Sequence, residues 1–223
     1  EFIKKTPKAE LHLHIEGTLE PELMFRLAKK NNIQIPFKNV SEVKAAYNFN
    51  NLQSFLDIYY QASKVLITEQ DFFDLTWCYV LKCKEDNVVH VEIFFDPQTH
   101  TERGVSFDTI INGIYKAFHR ANKEFGLTFK IIMCFLRHLD QKSGFKILEQ
   151  ASFHKEKIFG VGLDSSEKDN PPSKFEKLFR TATEKNFVTV AHAGEEGPSE
   201  YIWEALNLLN VKRIDHGVKC LND

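Results

Sequence analysis

Short apolar runs alternate with longer amphipathic segments along this chain. The runs have the usual length of strands. Six strands are predicted, at Leu11–Ile15, Val88–Phe95, Phe129–Leu136, Phe159–Leu163, Phe187–Ala191 and Arg213–Val218. Between them apolar residues recur at helical spacing, and one predicted helix face comprises Phe72, Leu75, Tyr79 and Cys83. Apolar strands that alternate with helices favour a parallel sheet, so the predicted fold class is α/β.

The spacing of the runs indicates a repeated strand–helix unit. The last four predicted strands start 30, 28 and 26 residues apart, whereas the first two start 77 residues apart. The long gap contains two further helical stretches, Pro21–Asn31 and Leu52–Val65. No Gly-, Ser- or Pro-rich linker divides the chain, so we predict one domain, residues 1–223, with a helical lid insertion at residues 18–68. A doubly wound sheet and a (β/α)8 barrel both fit this pattern.

Three serines mark predicted helix starts. Ser173 and Glu176 have the spacing of a capping box, in which each side chain bonds the backbone N–H of the other residue. Ser106 and Ser199 each precede an apolar-periodic stretch, where an N-cap is expected. Helices are therefore predicted to begin beside these residues.

Composition narrows the classes of function. Lys and Arg total 29 against 31 Asp and Glu, so the chain lacks the basic excess of a nucleic-acid binder. Its longest apolar stretch, Val88–Phe95, is interrupted by polar residues and is too short to span a bilayer. The four cysteines form no C-x-x-C pair, and the N-terminus has no apolar core of a signal peptide. We expect a reduced, cytoplasmic protein whose partners include neither nucleic acid nor membrane.

His12 and His14 come at the end of the first predicted strand. Residues two apart in a strand point to the same side, so both imidazoles would project together. Two neutral imidazoles directed at one point form half of a zinc site. Taken alone, the H-x-H pattern fits two exposed or core histidines equally well.

His192 comes directly after the fifth predicted strand, Phe187–Ala191, and Glu195 follows three residues later. The small residues between them leave room for a substrate close to the backbone. A carboxylic acid at this position can sit beside a metal and transfer protons. Alternatively, Glu195 is a helix-start acid that favours the helix dipole.

Asp215-His216-Gly217 ends the sixth predicted strand. The chain has nine histidines, and His216 is the fourth that falls at the carboxyl end of a predicted strand. This recurrence favours a metal site over isolated buried histidines. Signatures of other sites are absent from the sequence: H-E-x-x-H, P-C-x-x-C, G-x-S-x-G, G-x-x-x-x-G-K-[ST] and G-x-G-x-x-G.

Three ordered motifs together resemble the adenosine/adenine deaminase family of metal-dependent amidohydrolases. They are Pro7–Glu20, His192–Glu195 and Asp215–Gly217. The resemblance runs from the first ten residues to the end of the chain. It implies that the fold is a (β/α)8 barrel and not a doubly wound sheet.

The resemblance also assigns roles to five residues. His12, His14 and His192 match the zinc-binding histidines, and one zinc ion per chain is expected. Glu195 matches the acid that protonates the purine ring nitrogen beside the reacting carbon. His216 matches the histidine that orients the attacking hydroxide. Zinc lowers the pKa of its bound water, so hydroxide would add to the amine-bearing carbon and ammonia would leave.

Several stretches resemble adenine deaminases more than adenosine deaminases. They are Phe49–Leu56, Phe94–Gln98, Leu136–His138 and Gly162–Glu167. Where adenosine deaminases carry an Asp that touches the ribose, this chain has Glu16, whose longer side chain would fill the ribose space. The other interpretation is that Glu16 holds His14 by a hydrogen bond. Ser166 or Glu167 is expected at the purine edge, unless their loop is a solvated turn.

The resemblance therefore implies zinc-dependent hydrolysis of adenine to hypoxanthine and ammonia in purine salvage, with a small purine base as ligand. Adenosine deamination and a non-catalytic purine- or metal-binding relative are the alternatives. The family carries a further metal-binding Asp and a purine-contacting Asp after its eighth strand, and neither is found in this chain. We expect a barrel truncated after the sixth strand, in which strands 7–8 would need roughly 54 more residues. The sequence indicates no oligomeric state.

Overall fold

The computed structural model describes residues 1–223, which form two compact units, Glu1–Lys130 and Ile131–Asp223. Each unit combines parallel strands with helices. None of the helices offers an apolar stretch of bilayer-spanning length. One domain with a lid at residues 18–68 stays a prediction.

The first unit contains two neighbouring parallel strands, β1 (Lys8–His14) and β2 (Val88–Phe95). A short 3-10 turn, Ile15–Thr18, follows β1 directly. A third strand, β3 (Thr128–Leu136), starts at the end of this unit and continues into the second. The helices of the first unit are α1 (Phe2–Lys5), α2 (Pro21–Asn31), α3 (Val40–Ala46), α4 (Leu52–Ser63), α5 (Glu69–Glu85), α6 (Pro97–Thr101) and α7 (Phe107–Phe125).

The second unit contains most of β3 and three further strands. These are β4 (Gly160–Asp164), β5 (Val188–Ala193) and β6 (Arg213–His216). Each strand pairs in parallel with the next, so their carboxyl ends meet at one edge. The helices of this unit are α8 (Gln141–Ser152), α9 (Glu176–Glu184) and α10 (Ser199–Asn207).

All six predicted strands are present, with ends that differ from the predicted ones by up to three residues. Strand β1 begins at Lys8, three residues before the predicted start at Leu11, because Lys8 pairs with Val88 through the backbone and a ladder needs no apolar side chain. The predicted helices at Pro21–Asn31 and Leu52–Val65 are confirmed, the second ending at Ser63.

The predicted helix starts have mixed outcomes. Ser106 caps α7 as predicted, since its side chain accepts the N–H of Thr109 at 3.1 Å. The capping box at Ser173 is wrong, because a 3-10 turn already begins at Pro172 and the Ser173 N–H donates to Glu204 in α10. Ser199 is the first residue of α10, one position beyond its N-cap. The position of a helix start thus depends on nearby prolines and on contacts with other helices, and not only on the local capping pattern.

Helices α5 and α7 pack closely at Gly113. A Cβ atom there would lie 2.4 Å from the carbonyl oxygen of Glu69 and 2.7 Å from the Cβ of Phe72. We expect Gly113→Ala to lower the free energy of unfolding by about 1–3 kcal/mol, because overpacking outweighs the better helix propensity of Ala. Urea denaturation measures this change, with exposed Lys123→Ala in the same helix as the control. A Gly113→Ala variant as stable as the wild type would contradict the close approach.

Candidate active site

The imidazoles of His12 and His14 lie on the same side of β1. Their ring centroids are 5.8 Å apart, and they lie 5.5 and 4.9 Å from the ring of Phe94 in β2. The register between β1 and β2 shifts between Glu10 and Leu13, beside His12. Such irregularities re-aim side chains at strand ends. The geometry of this strand end thus gives two adjacent imidazoles, the arrangement that the H-x-H spacing predicts.

Glu16 lies buried in the 3-10 turn after β1. Its Oε1 accepts the backbone N–H of Asp96 at 3.0 Å, and its Oε2 accepts the hydroxyl of Tyr59 at 3.3 Å. Burial raises the pKa of Glu16 to about 7, although these hydrogen bonds oppose the shift. Its carboxyl group is therefore tied to the segment that follows β2, and substrate binding by Glu16 stays a prediction.

The buried ring of His100 also faces Glu16. The guanidinium of Arg103 can only donate, so His100 Nδ1, at 2.8 Å, accepts from it. His100 Nε2 consequently carries the proton and donates to Glu16 at 3.0 Å. Burial and the neighbouring Arg103 lower the pKa of His100 to about 3, which is consistent with a neutral ring. This histidine supports Glu16, and no pattern in the sequence indicated it.

In the second unit, His192 lies buried near the end of β5. Its Nδ1 is 3.0 Å from the carbonyl oxygen of Leu163 in β4. A carbonyl oxygen only accepts, so Nδ1 carries the proton. Nε2 is left without a proton, as binding to a metal ion requires. This tautomer fits the chemistry of a metal ligand.

Glu195 and His216 come together beside His192. The Nε2 atom of His216 lies 3.3 Å from Oε2 of Glu195, and the rings of His192 and His216 are 5.1 Å apart. His216 adopts a left-handed backbone with φ of 71°, which is uncommon outside glycine. The second unit thus gathers three of the five residues to which the sequence assigns metal or catalytic roles.

The carboxyl group of Glu195 is poised to exchange a proton near neutral pH. Burial and the negative charges of Glu167 and Glu196 raise its pKa to about 7, against the opposing charge of Arg137. A carboxylic acid with such a pKa is partly protonated at neutral pH and is suited to general acid catalysis.

Glu167 is buried, and its carboxylate faces the backbone of residues 194–197. Four backbone N–H groups from this segment donate to its two oxygens at 2.7–3.0 Å. The predicted solvated turn is therefore wrong for Glu167. Ser166 lies beside it, half-buried, and its carbonyl oxygen accepts from the side chain of Asn170. A substrate contact by Ser166 or Glu167 stays a prediction.

Sequence reasoning gave no role to Arg137. This fully buried side chain follows β3 and donates to the carbonyl oxygens of Asn170 and His192, each at 2.8 Å. Its sequence signal is that a lone arginine directly follows the apolar run Ile131–Leu136.

The Adenosine deaminase family matches residues 7–223 of this chain. The adenine deaminase of Wolinella succinogenes is 62% identical over 223 residues, which cover 100% of this chain and 67% of that protein. The chain belongs to the adenosine deaminase family. The family resemblance predicted from three short motifs is confirmed, and so is the prediction that the chain is an enzyme of this family.

Two solved structures carry the same fold. The crystal structure of adenine deaminase from Arthrobacter aurescens matches with a TM-score of 0.94 and 49% identity, covering 96% of this chain and 66% of that chain. An amidohydrolase from Burkholderia ambifaria, solved with bound Zn, matches with a TM-score of 0.90 and 26% identity, covering 100% and 62%. The predicted α/β fold of the amidohydrolase barrel class is confirmed. The chain spans about two thirds of the length of these relatives.

Proposed function

We propose that this chain belongs to an enzyme that hydrolyses adenine to hypoxanthine and ammonia with one zinc ion per chain. The observation that carries the proposal is the pairing of Glu195, whose pKa is about 7, with His216 beside His192. Relatives named adenine deaminase, at 62% and 49% identity, support the choice of adenine. The four free cysteines support a reducing, cytoplasmic setting, and purine salvage is the pathway proposed.

The proposed metal ligands are His12, His14 and His192. The two imidazoles on one side of β1 and the Nδ1-protonated form of His192 both suit coordination through nitrogen. A zinc ion bound in such a site lowers the pKa of a coordinated water and makes hydroxide available near neutral pH.

Two residues would move and hold protons during the reaction. We assign to Glu195 the donation of its carboxyl proton to the ring nitrogen beside the amine-bearing carbon, which relieves negative charge on the ring. Burial lowers the pKa of His216, so its ring is mostly neutral at pH 7 and its Nε2 atom can orient a hydroxyl group beside Glu195. The added water gives up both of its protons, one to the amine, which leaves as ammonia, and one that restores the carboxyl group of Glu195.

The choice between adenine and adenosine is tested by ammonia release from both substrates with the full-length enzyme. We expect kcat/KM for adenine to exceed that for adenosine by at least about a hundredfold, the discrimination that a lack of room for the ribose gives. Equal or faster turnover of adenosine would favour adenosine deaminase. Binding of either purine without ammonia release would favour the non-catalytic alternative.

A further inference from the structure

The carboxylate of Glu167 is enclosed by backbone donors. Its Oε1 accepts the N–H of Gly194 at 2.7 Å, while its Oε2 accepts those of Glu195, Glu196 and Gly197 at 3.0, 2.8 and 2.7 Å. Hydrogen bonds from an N–H to a charged oxygen are about twice as strong as those between neutral groups. This one side chain therefore fixes the path of four consecutive residues, among them Glu195.

Arg137 binds the backbone just before this segment, at His192. Its Nη1 donates to the carbonyl oxygen of His192 at 2.8 Å and lies 3.9 Å from Oε1 of Glu167. Arg137 and Glu167 are 0% and 1% exposed, so this ion pair is shielded from solvent. The positive charge of Arg137 thus binds the carbonyl group of His192, and the negative charge of Glu167 binds the N–H groups of residues 194–197.

The segment has no room for a side chain at either of its end residues. A Cβ atom at Gly197 would lie 2.8 Å from Cδ of Glu167, and a Cβ atom at Gly194 would lie 2.6 Å from the side chain of Ile202. Gly194 also has a φ of 68°, which favours glycine. The two glycines that flank Glu195 and Glu196 therefore allow the backbone to wrap around the carboxylate.

We propose that Glu167 and Arg137 are positioning residues, which hold the backbone of residues 194–197 so that the carboxyl group of Glu195 meets His216. The inference rests on the proposed function, in which Glu195 is the proton donor. It also assigns Glu167 a role other than the contact with the purine edge that the sequence suggested, because four backbone donors already occupy its oxygens.

Glu167→Gln in the full-length enzyme tests this inference. The amide NH2 cannot accept, so at least one backbone donor loses its partner. We expect kcat for adenine to fall by about 10–100-fold, since small displacements of a catalytic group cost this much. The KM for adenine and the zinc content stay close to wild type. The matched control is Glu200→Gln, which removes an exposed carboxylate in the first turn of α10 and leaves kcat unchanged.

A double variant separates positioning from stability. Glu167→Gln leaves the buried Arg137 without its opposite charge, which destabilises the fold. Arg137→Met combined with Glu167→Gln removes both charges, and we expect its melting temperature to recover towards wild type while kcat stays low. Recovery of kcat together with melting temperature would show a purely structural pair and overturn the inference.

Amide hydrogen exchange tests the inference without any turnover. In Glu167→Gln we expect the N–H groups of residues 194–197 to exchange at least about tenfold faster, because their acceptor is weakened. Unchanged exchange, or a raised KM with unchanged kcat, would overturn the positioning role. A wild-type enzyme that releases no ammonia from adenine would instead refute the proposed function, and the exchange rates would still decide the positioning role.

Discussion

Glu195→Gln is expected to abolish most adenine deamination while the enzyme keeps its zinc. The amide is nearly isosteric with the acid but has no acidic proton to give to the ring nitrogen. General acid catalysis contributes about 10²–10⁴-fold, so kcat should fall by about that factor. Ammonia release measures the rate, and elemental analysis of the same sample measures the zinc. Glu200→Gln again serves as the control, because its carboxylate is exposed and lies outside the site.

The pH profile gives this prediction a second readout. The pKa of Glu195 is raised to about 7, so the carboxyl group is protonated below pH 7 and loses its proton above it. If the protonated form is the active one, kcat/KM of the wild type falls as pH rises through about 7. Glu195→Gln cannot titrate and loses this step. A variant with the wild-type rate, or with the wild-type fall above pH 7, would exclude Glu195 as the proton donor.

His192→Ala is expected to remove zinc and activity together. The wild-type imidazole is held by the Leu163 carbonyl in the tautomer that binds metal through Nε2, and alanine offers no replacement ligand. We expect less than about a tenth of the wild-type zinc content, with kcat reduced by at least about 10³-fold, because the water is no longer activated. His119→Ala provides the matched control, since that ring is exposed on α7.

A His192→Ala enzyme that retained both zinc and turnover would remove His192 from the metal site. Loss of turnover with full zinc content would give His192 a role at the substrate instead of the metal. The two readouts therefore have to be made on the same preparation.

The repeating elements were predictable because their signals are local. Apolar runs of five to eight residues became strands β2 and β3 nearly at the predicted bounds, and the periodic segment Pro21–Asn31 became α2. The closeness of Glu195 and His216 also follows from the sequence, since Glu195 lies just beyond β5, His216 ends β6, and the carboxyl ends of neighbouring parallel strands meet.

The supports of the site were not predictable in this way. Glu167 is held by backbone N–H groups, which every residue except proline carries, so no side-chain pattern marks the contact. His100 contacts Glu16 from α6, a helix too short to show a helical period in the sequence, and Arg103, just beyond α6, bonds His100. Only the folded path of the chain shows these contacts.

The central claim is that zinc bound by this chain's histidines supports deamination of adenine. Its most direct test is a zinc titration of the metal-depleted, full-length enzyme, with ammonia and hypoxanthine measured at each step. The account predicts that the rate rises in proportion to bound zinc, levels off at about one zinc per chain and yields ammonia and hypoxanthine in equal amounts. Full activity in the metal-free enzyme, or no hypoxanthine at saturating zinc, would contradict it.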